Sequence, residues 1–168
     1  MPTLYAQPYD TSAIGFYFDS EADYLAKSAG LRNAYGQLVE EFEIQFIQGE
    51  GLDCHLFGAL GIHQGSVGGY FDAVEIWSAD DKIRVIIAIG EAGYSFDLGS
   101  DSPDKFEVDL YACESLRDLA IQFVDDGLFG DIPDSIQNYL DYDSMARDLS
   151  IDYGQVTIDG APYIYRCA

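Results

Sequence analysis

Residues 105–127 read KFEVDLYACESLRDLAIQFVDDG, and this stretch decides the fold class. In its first seven residues Phe106, Val108 and Leu110 alternate with Glu107 and Asp109. Successive side chains on a strand point to opposite faces, so Lys105–Tyr111 reads as a half-buried β-strand with carboxylates on its outer face. From Glu114 to Asp126 the period changes. Leu116, Leu119, Ala120, Phe123 and Val124 recur at helical spacing, and Gly127 stands at the C-cap. A strand leading directly into an amphipathic helix predicts an α+β chain.

Working downstream, Pro133 opens a short helix with Ile136, Tyr139 and Leu140 on one side, and Asp143 caps another ending near Leu149. QVTIDG and APYIYRC then form a hairpin turning at Asp159-Gly160. Upstream, Thr3–Gln7 and Ala13–Asp19 read as strands separated by the Pro8–Ser12 turn. Ser20 is an N-cap with Asp23 three residues on, and Gly30 ends that helix. Phe42, Ile44 and Phe46 alternate with Glu41, Glu43 and Gln45 in a third strand. Between these zones, CHLFGALGI, SVGGYFDAVEIW and DKIRVIIAIGEAG read as helices broken by glycines, although IRVIIAI is β-branched enough for a buried strand. Three small subdomains are expected, over 1–49, 50–102 and 103–168: a three-stranded sheet with one helix, a helical middle, and a three-stranded sheet with three helices.

Charge is the dominant feature of composition. Thirty Asp and Glu face eight Lys and Arg among 168 residues, a net charge of −22. Small domains need a charge of magnitude only about 2–8 for solubility. The excess destabilises the compact state by self-repulsion, so it points to a use. Aromatic residues make up 14% of the chain, which sets it apart from a disordered acidic tail and supplies a core. Such a surface repels nucleic acid and anionic membranes and attracts basic clefts. The three cysteines, Cys54, Cys113 and Cys167, are odd in number and lack CxxC spacing, so a reducing compartment is expected. MPTLYAQPYD has neither the basic nor the apolar region of a signal peptide, and Val85–Ile89 is too short to span a bilayer. A cytoplasmic location follows as the expectation.

The acids fall on outer faces. Glu41 and Glu43, like Glu107 and Asp109, lie two residues apart on a strand, about 6.6 Å. Glu114, Asp118 and Asp125 share one helix face. Between Asp97 and Asp159 sixteen acids meet only Lys105, Arg117 and Arg147. Any single carboxylate reads as a solvated surface group; the array is what departs from ordinary surfaces, which intersperse both signs. Duplex DNA carries one charge per roughly 1.7 Å, so 22 excess charges equal the phosphates of about 11 base pairs, and the 44 of a dimer equal about 22. Catalytic signatures are missing from the pattern. His55 and His63 are the only histidines, and Cys54-His55 lacks a second ligand pair for zinc. Neither DSPDKFEVDLYACE nor DYDSMARDLSID carries the EF-hand glycine, and no phosphate loop or dinucleotide fingerprint occurs. No enzyme, cofactor or metal site is expected.

The segment GLFGDIPDSIQNYLDYDSMARDL, Gly127–Leu149, resembles the ArdA antirestriction family of DNA-mimic proteins. The resemblance is carried by Pro133, Tyr139, Asp141, Tyr142, Ala146, Arg147, Asp148 and Leu149, and the following hairpin fits the end of that family. It implies an elongated, curved homodimer joined through the C-terminal region, displaying carboxylates where bent B-DNA displays phosphates. The implied target is a type I restriction-modification enzyme, occupied in the DNA groove of its methyltransferase core. Such proteins are carried by mobile elements. The phosphate surrogates expected are Glu107, Asp109, Glu114, Asp118, Asp125, Asp126, Asp134, Asp141, Asp143, Asp148 and Asp152. Tyr139, Leu140 and Tyr142 are expected in the core or the dimer seam, and Arg147 in a structural ion pair. The rival readings are a salt-adapted or cation-binding protein, a small hydrolase using an acidic pair, and a mimic aimed at another DNA-binding protein.

Overall fold

The computed structural model describes residues 1–167. The chain divides into two compact units, Met1–Lys105 and one beginning at Phe106. It is an α+β protein with two three-stranded antiparallel sheets and seven α-helices among the described residues.

In the first unit, β1 (Thr3–Pro8) lies between β2 (Phe16–Phe18) and β3 (Phe42–Gln48). The alternation read from the sequence sets the register: Leu4, Ala6, Phe42 and Ile44 are buried, while Glu41 and Glu43 are exposed. Helix α1 (Glu21–Ser28) starts where the Ser20 hydroxyl accepts the Asp23 N–H at 3.2 Å. Its buried Tyr24 lies 5.0 Å from the Phe18 ring, and Phe18 in turn meets Phe71 at 6.1 Å, so sheet and middle helices share one core.

Those helices are α2 (Gly51–Leu60), α3 (Val67–Ile76) and α4 (Ala79–Gly90). IRVIIAI is helical. A capping box fixes its start, with Asp81 N–H donating to the Ser78 hydroxyl and Ser78 N–H to the Asp81 carboxylate. Ile83, Val85, Ile86, Ile87 and Ala88 are all buried, and burial on most sides overrides the modest helix penalty of β-branched residues. Gly61 ends α2 with φ +60°, and a Cβ on Gly68 would collide with the Glu21 carboxylate of α1. At the centre, Lys82 Nζ donates to Asp53 Oδ1 at 2.7 Å and to the Val74 carbonyl at 3.0 Å, tying α2, α3 and α4 together.

The second unit holds β4 (Val108–Tyr111), β5 (Gly154–Ile158) and β6 (Ala161–Cys167), with β6 central. Its helices are α5 (Leu116–Asp125), α6 (Asp134–Gln137) and α7 (Tyr142–Leu149). Leu116, Leu119, Phe123 and Ile164 form the core, with Tyr111, Ala146, Leu149 and Tyr153 packed against it. The β5–β6 hairpin turns through Asp159 (φ 49°) and Gly160 (φ 78°), the left-handed pair that a two-residue turn requires. Three local expectations need correction, the first being that the strand read over Ala13–Asp19 covers only Phe16–Phe18. Strand β4 begins at Val108, not Lys105, because Pro103–Lys105 forms a 3-10 turn held by a Lys105–Asp101 ion pair of 2.7 Å. Asp141, not Asp143, caps α7, since its carboxylate is the one that accepts the Ser144 N–H at 3.0 Å.

Candidate functional site: a surface of carboxylates

Burying the apolar face of α5 on the sheet turns the helix's opposite face outward. Asp118 and Asp125 lie on that face, Glu114 just precedes the cap, and Asp126 follows the last turn; all four are exposed. The Ser115 hydroxyl accepts the Asp118 N–H at 3.1 Å, so Asp118 sits at the helix N-terminus, where its charge is favourable to the helix. Glu107, Asp134, Asp148 and Asp152 are exposed as well. Asp131, on the loop before α6, is also exposed and was absent from the expected set because no periodic element flags it.

Four of the expected acids have internal commitments, the Asp118 carboxylate accepting the Ser115 hydroxyl at 2.5 Å. Asp109 is half-buried and accepts two hydrogen bonds from Arg166 across the β4–β6 ladder, at 3.0 and 2.6 Å. The same contact pushes the Arg166 guanidinium further above its ordinary range. Asp143 pairs with Arg117 at 3.3 Å, and the Arg117 guanidinium lies 5.7 Å from the Tyr142 ring. Asp141 takes the Ser144 hydroxyl at 2.6 Å and its backbone N–H, which hold its carboxyl below the usual carboxylate range. Arg147 donates to that same hydroxyl at 2.6 Å. Every arginine of this unit is thus folded onto its own neighbours. Thirteen acids and three bases between Phe106 and the end of the chain leave an excess of ten negative charges on 63 residues.

The family-like residues split. Tyr139 is 85% exposed and takes no part in its own chain's core, whereas Leu140, Tyr142, Ala146 and Leu149 are half-buried and Pro133 is exposed. Leu128, Phe129, Ile136 and Ile151 are also exposed in this unit. Phe129, Met145 and Leu149 line a hollow of about 250 Å³ whose edge carries Asp148 and Asp152.

Burial pushes Cys113 and Cys167 up from the ordinary thiol range, which disfavours thiolate. The His63 Nδ1 accepts the Gly65 N–H at 3.1 Å and serves the loop before α3. Among the described residues no group of three His, Cys, Asp or Glu side chains is placed to hold a metal ion, and no helix is long and apolar enough to cross a membrane. What the surface can do is present fixed negative charge to a basic partner.

Comparison with known families matches residues 67–163 to the family described as "Antirestriction protein (ArdA)". The matched stretch runs from α3 into β6 and contains all thirteen acids of the second unit. A search of curated proteins gave no match.

Proposed function

Because this chain belongs to the ArdA antirestriction protein family, we propose that it blocks type I restriction-modification enzymes as a mimic of DNA. The carboxylates of the second unit stand in for backbone phosphates and occupy the DNA groove of the methyltransferase core. No bond is made or broken; inhibition is stoichiometric competition.

The observation that carries this reading is the one-sided use of charge. Glu107, Glu114, Asp118, Asp125, Asp126, Asp134, Asp148 and Asp152 are exposed, and the three arginines that share this surface, Arg117, Arg147 and Arg166, each contact a side chain of the same unit and are outnumbered by the acids. Phosphate contacts position a DNA-binding protein, and base edges supply its sequence readout. Carboxylates can reproduce only the first, so the mimic competes for the phosphate-binding surface regardless of recognition sequence. Two copies joined through the C-terminal unit double the array, and exposed Tyr139 together with Phe129 and Ile136 provides an apolar seam for that homodimer. The complex forms in the cytoplasm, where the target enzyme acts.

A cleavage assay tests the reading. Unmodified plasmid is exposed to a type I enzyme with rising amounts of the protein. Inhibition should saturate near one dimer per methyltransferase core and should not deepen with longer preincubation. Progressive loss of enzyme activity at substoichiometric protein would contradict a competitive mimic.

A further inference from the structure

We propose that the N-terminal sheet carries a second docking surface, a groove beside Leu38–Glu41 that takes a basic, apolar-flanked segment of the target enzyme. The inference rests on the proposed target and adds a selectivity element to it. Leu38 is 53% exposed and forms a ridge between two hollows of about 300 and 220 Å³, which share Leu38, Val39 and Glu40 as walls. The larger is floored by the rings of Tyr24 and Phe42, and the smaller is closed by Tyr9 and Asp10. The walls are held firmly: Tyr9 N–H donates to the Glu41 carbonyl at 3.2 Å, and Gln64 clamps the backbone on both sides of Glu41, at Phe42 N–H (2.8 Å) and the Glu40 carbonyl (3.2 Å).

Charge names the occupant. Glu40 and Glu41 are exposed on the rim, and the Asp10 carboxyl is held below its usual range by hydrogen bonds from Ser12 and Asn33. Of the cations in this part of the chain, Lys27 pairs with Asp23 at 2.7 Å and Arg32 donates to the Gly36 carbonyl at 2.7 Å. An anionic lipid surface or a second copy of this chain would meet like charge here. A protein segment with Arg or Lys beside an aliphatic side chain satisfies both rim and floor. None of these residues falls within 67–163, so the groove lies outside the stretch matched to the family. Phosphate mimicry alone offers every DNA-binding cleft the same array, and contacts of this kind are what distinguish one basic partner from another.

The test uses the full chain and a purified type I methyltransferase core, reading both direct binding and displacement of a labelled duplex over a range of salt. Leu38→Ser, which removes no charge, should weaken binding about tenfold, as a central apolar contact does, with the salt slope of wild type. Glu40→Gln/Glu41→Gln should weaken binding more than the charge-matched Asp72→Asn/Glu75→Gln, whose acids are exposed on α3. Unchanged thermal midpoints show that the variants are folded; if Leu38→Ser is not, the two double variants decide. Leu38→Ser binding as wild type, or the two double variants binding alike, overturns the groove. Wild-type binding without duplex displacement would refute the mimic reading while leaving the groove to be judged by Leu38→Ser. No binding at all refutes both.

Discussion

Replacing Lys82 by Met should cost the first unit more stability than any surface change in the chain. Lys82 and Asp53 meet at 2.7 Å with side chains only 9% and 6% exposed, and Lys82 also holds the Val74 carbonyl. Methionine keeps most of the volume but leaves the Asp53 carboxylate buried without its cation. Breaking a buried pair in this way costs about 3–5 kcal/mol. Whole domains are stable by only about 5–15 kcal/mol, so the loss is a large share. At a urea m-value of about 2 kcal/mol/M the midpoint should fall by about 1.5–2.5 M. Trp77, the chain's single tryptophan, lies 5.6 Å from Phe96 in this unit, so its fluorescence reports the transition locally while far-UV circular dichroism follows the whole chain. The double change Asp53→Leu/Lys82→Met should recover most of the loss, because well-packed apolar residues replace a buried pair at little or no net cost. A Lys82→Met penalty below about 1 kcal/mol, or a double variant no better than the single, would refute the assignment of the pair as the tether of α2 to α4.

The other predictions concern surface and pH. Single changes such as Asp125→Ala should leave inhibition nearly unchanged, whereas Lys at Asp118, Asp125, Asp126, Asp148 and Asp152 together should abolish it with the far-UV spectrum intact; loss of inhibition from one exposed carboxylate would point to a discrete site instead. Tyr139→Ser should shift the sedimentation of the protein from dimer toward monomer and make its thermal midpoint less dependent on protein concentration, since that ring is 85% exposed in its own chain. Asp10, Asp101, Asp104 and Asp141 are held below the ordinary carboxyl value of 3.8, so the stability they contribute is complete above that pH and lost as pH falls through their lowered values; Asp141→Asn should flatten the acid limb of a stability-against-pH curve. Burial, with Asp53 and Cys54 nearby, raises the Tyr70 hydroxyl above its ordinary 10.0, so its contribution is intact below that pH and lost on further rise, and Tyr70→Phe should reduce the alkaline loss.

Where one face of an element is wet and the other dry, periodicity was readable. The strand at Phe42–Gln48, helix α5 and the Asp159-Gly160 turn all follow from side-chain alternation, helical spacing or turn chemistry. The middle helices carry a weaker signal because α4 is buried on most sides and shows no polar stripe; its start is marked only by Ser78 and Asp81. In Asp141-Tyr142-Asp143 both acids are chemically able to cap, and the choice depends on which one lies three residues before Ser144. Long-range pairings carry no local signal at all. Asp53 and Lys82 are 29 residues apart, and Asp109 and Arg166 are 57, so no pattern along the chain reveals that one acid is buried and the other clamped. Acidity of the candidate surface, by contrast, was visible as composition. What the structure adds is that each arginine of the second unit, although exposed, contacts a side chain of its own unit: Asp143, Ser144 or Asp109.

The most direct test of the central claim is displacement of a labelled duplex from a purified type I methyltransferase core by the wild-type protein, followed over increasing salt. The mimic account predicts displacement at close to one dimer per core, weakening as salt rises with a slope shallower than that of the duplex, whose counterion atmosphere is denser. A folded protein that leaves the duplex bound at every ratio, or one whose binding is indifferent to salt, would contradict it.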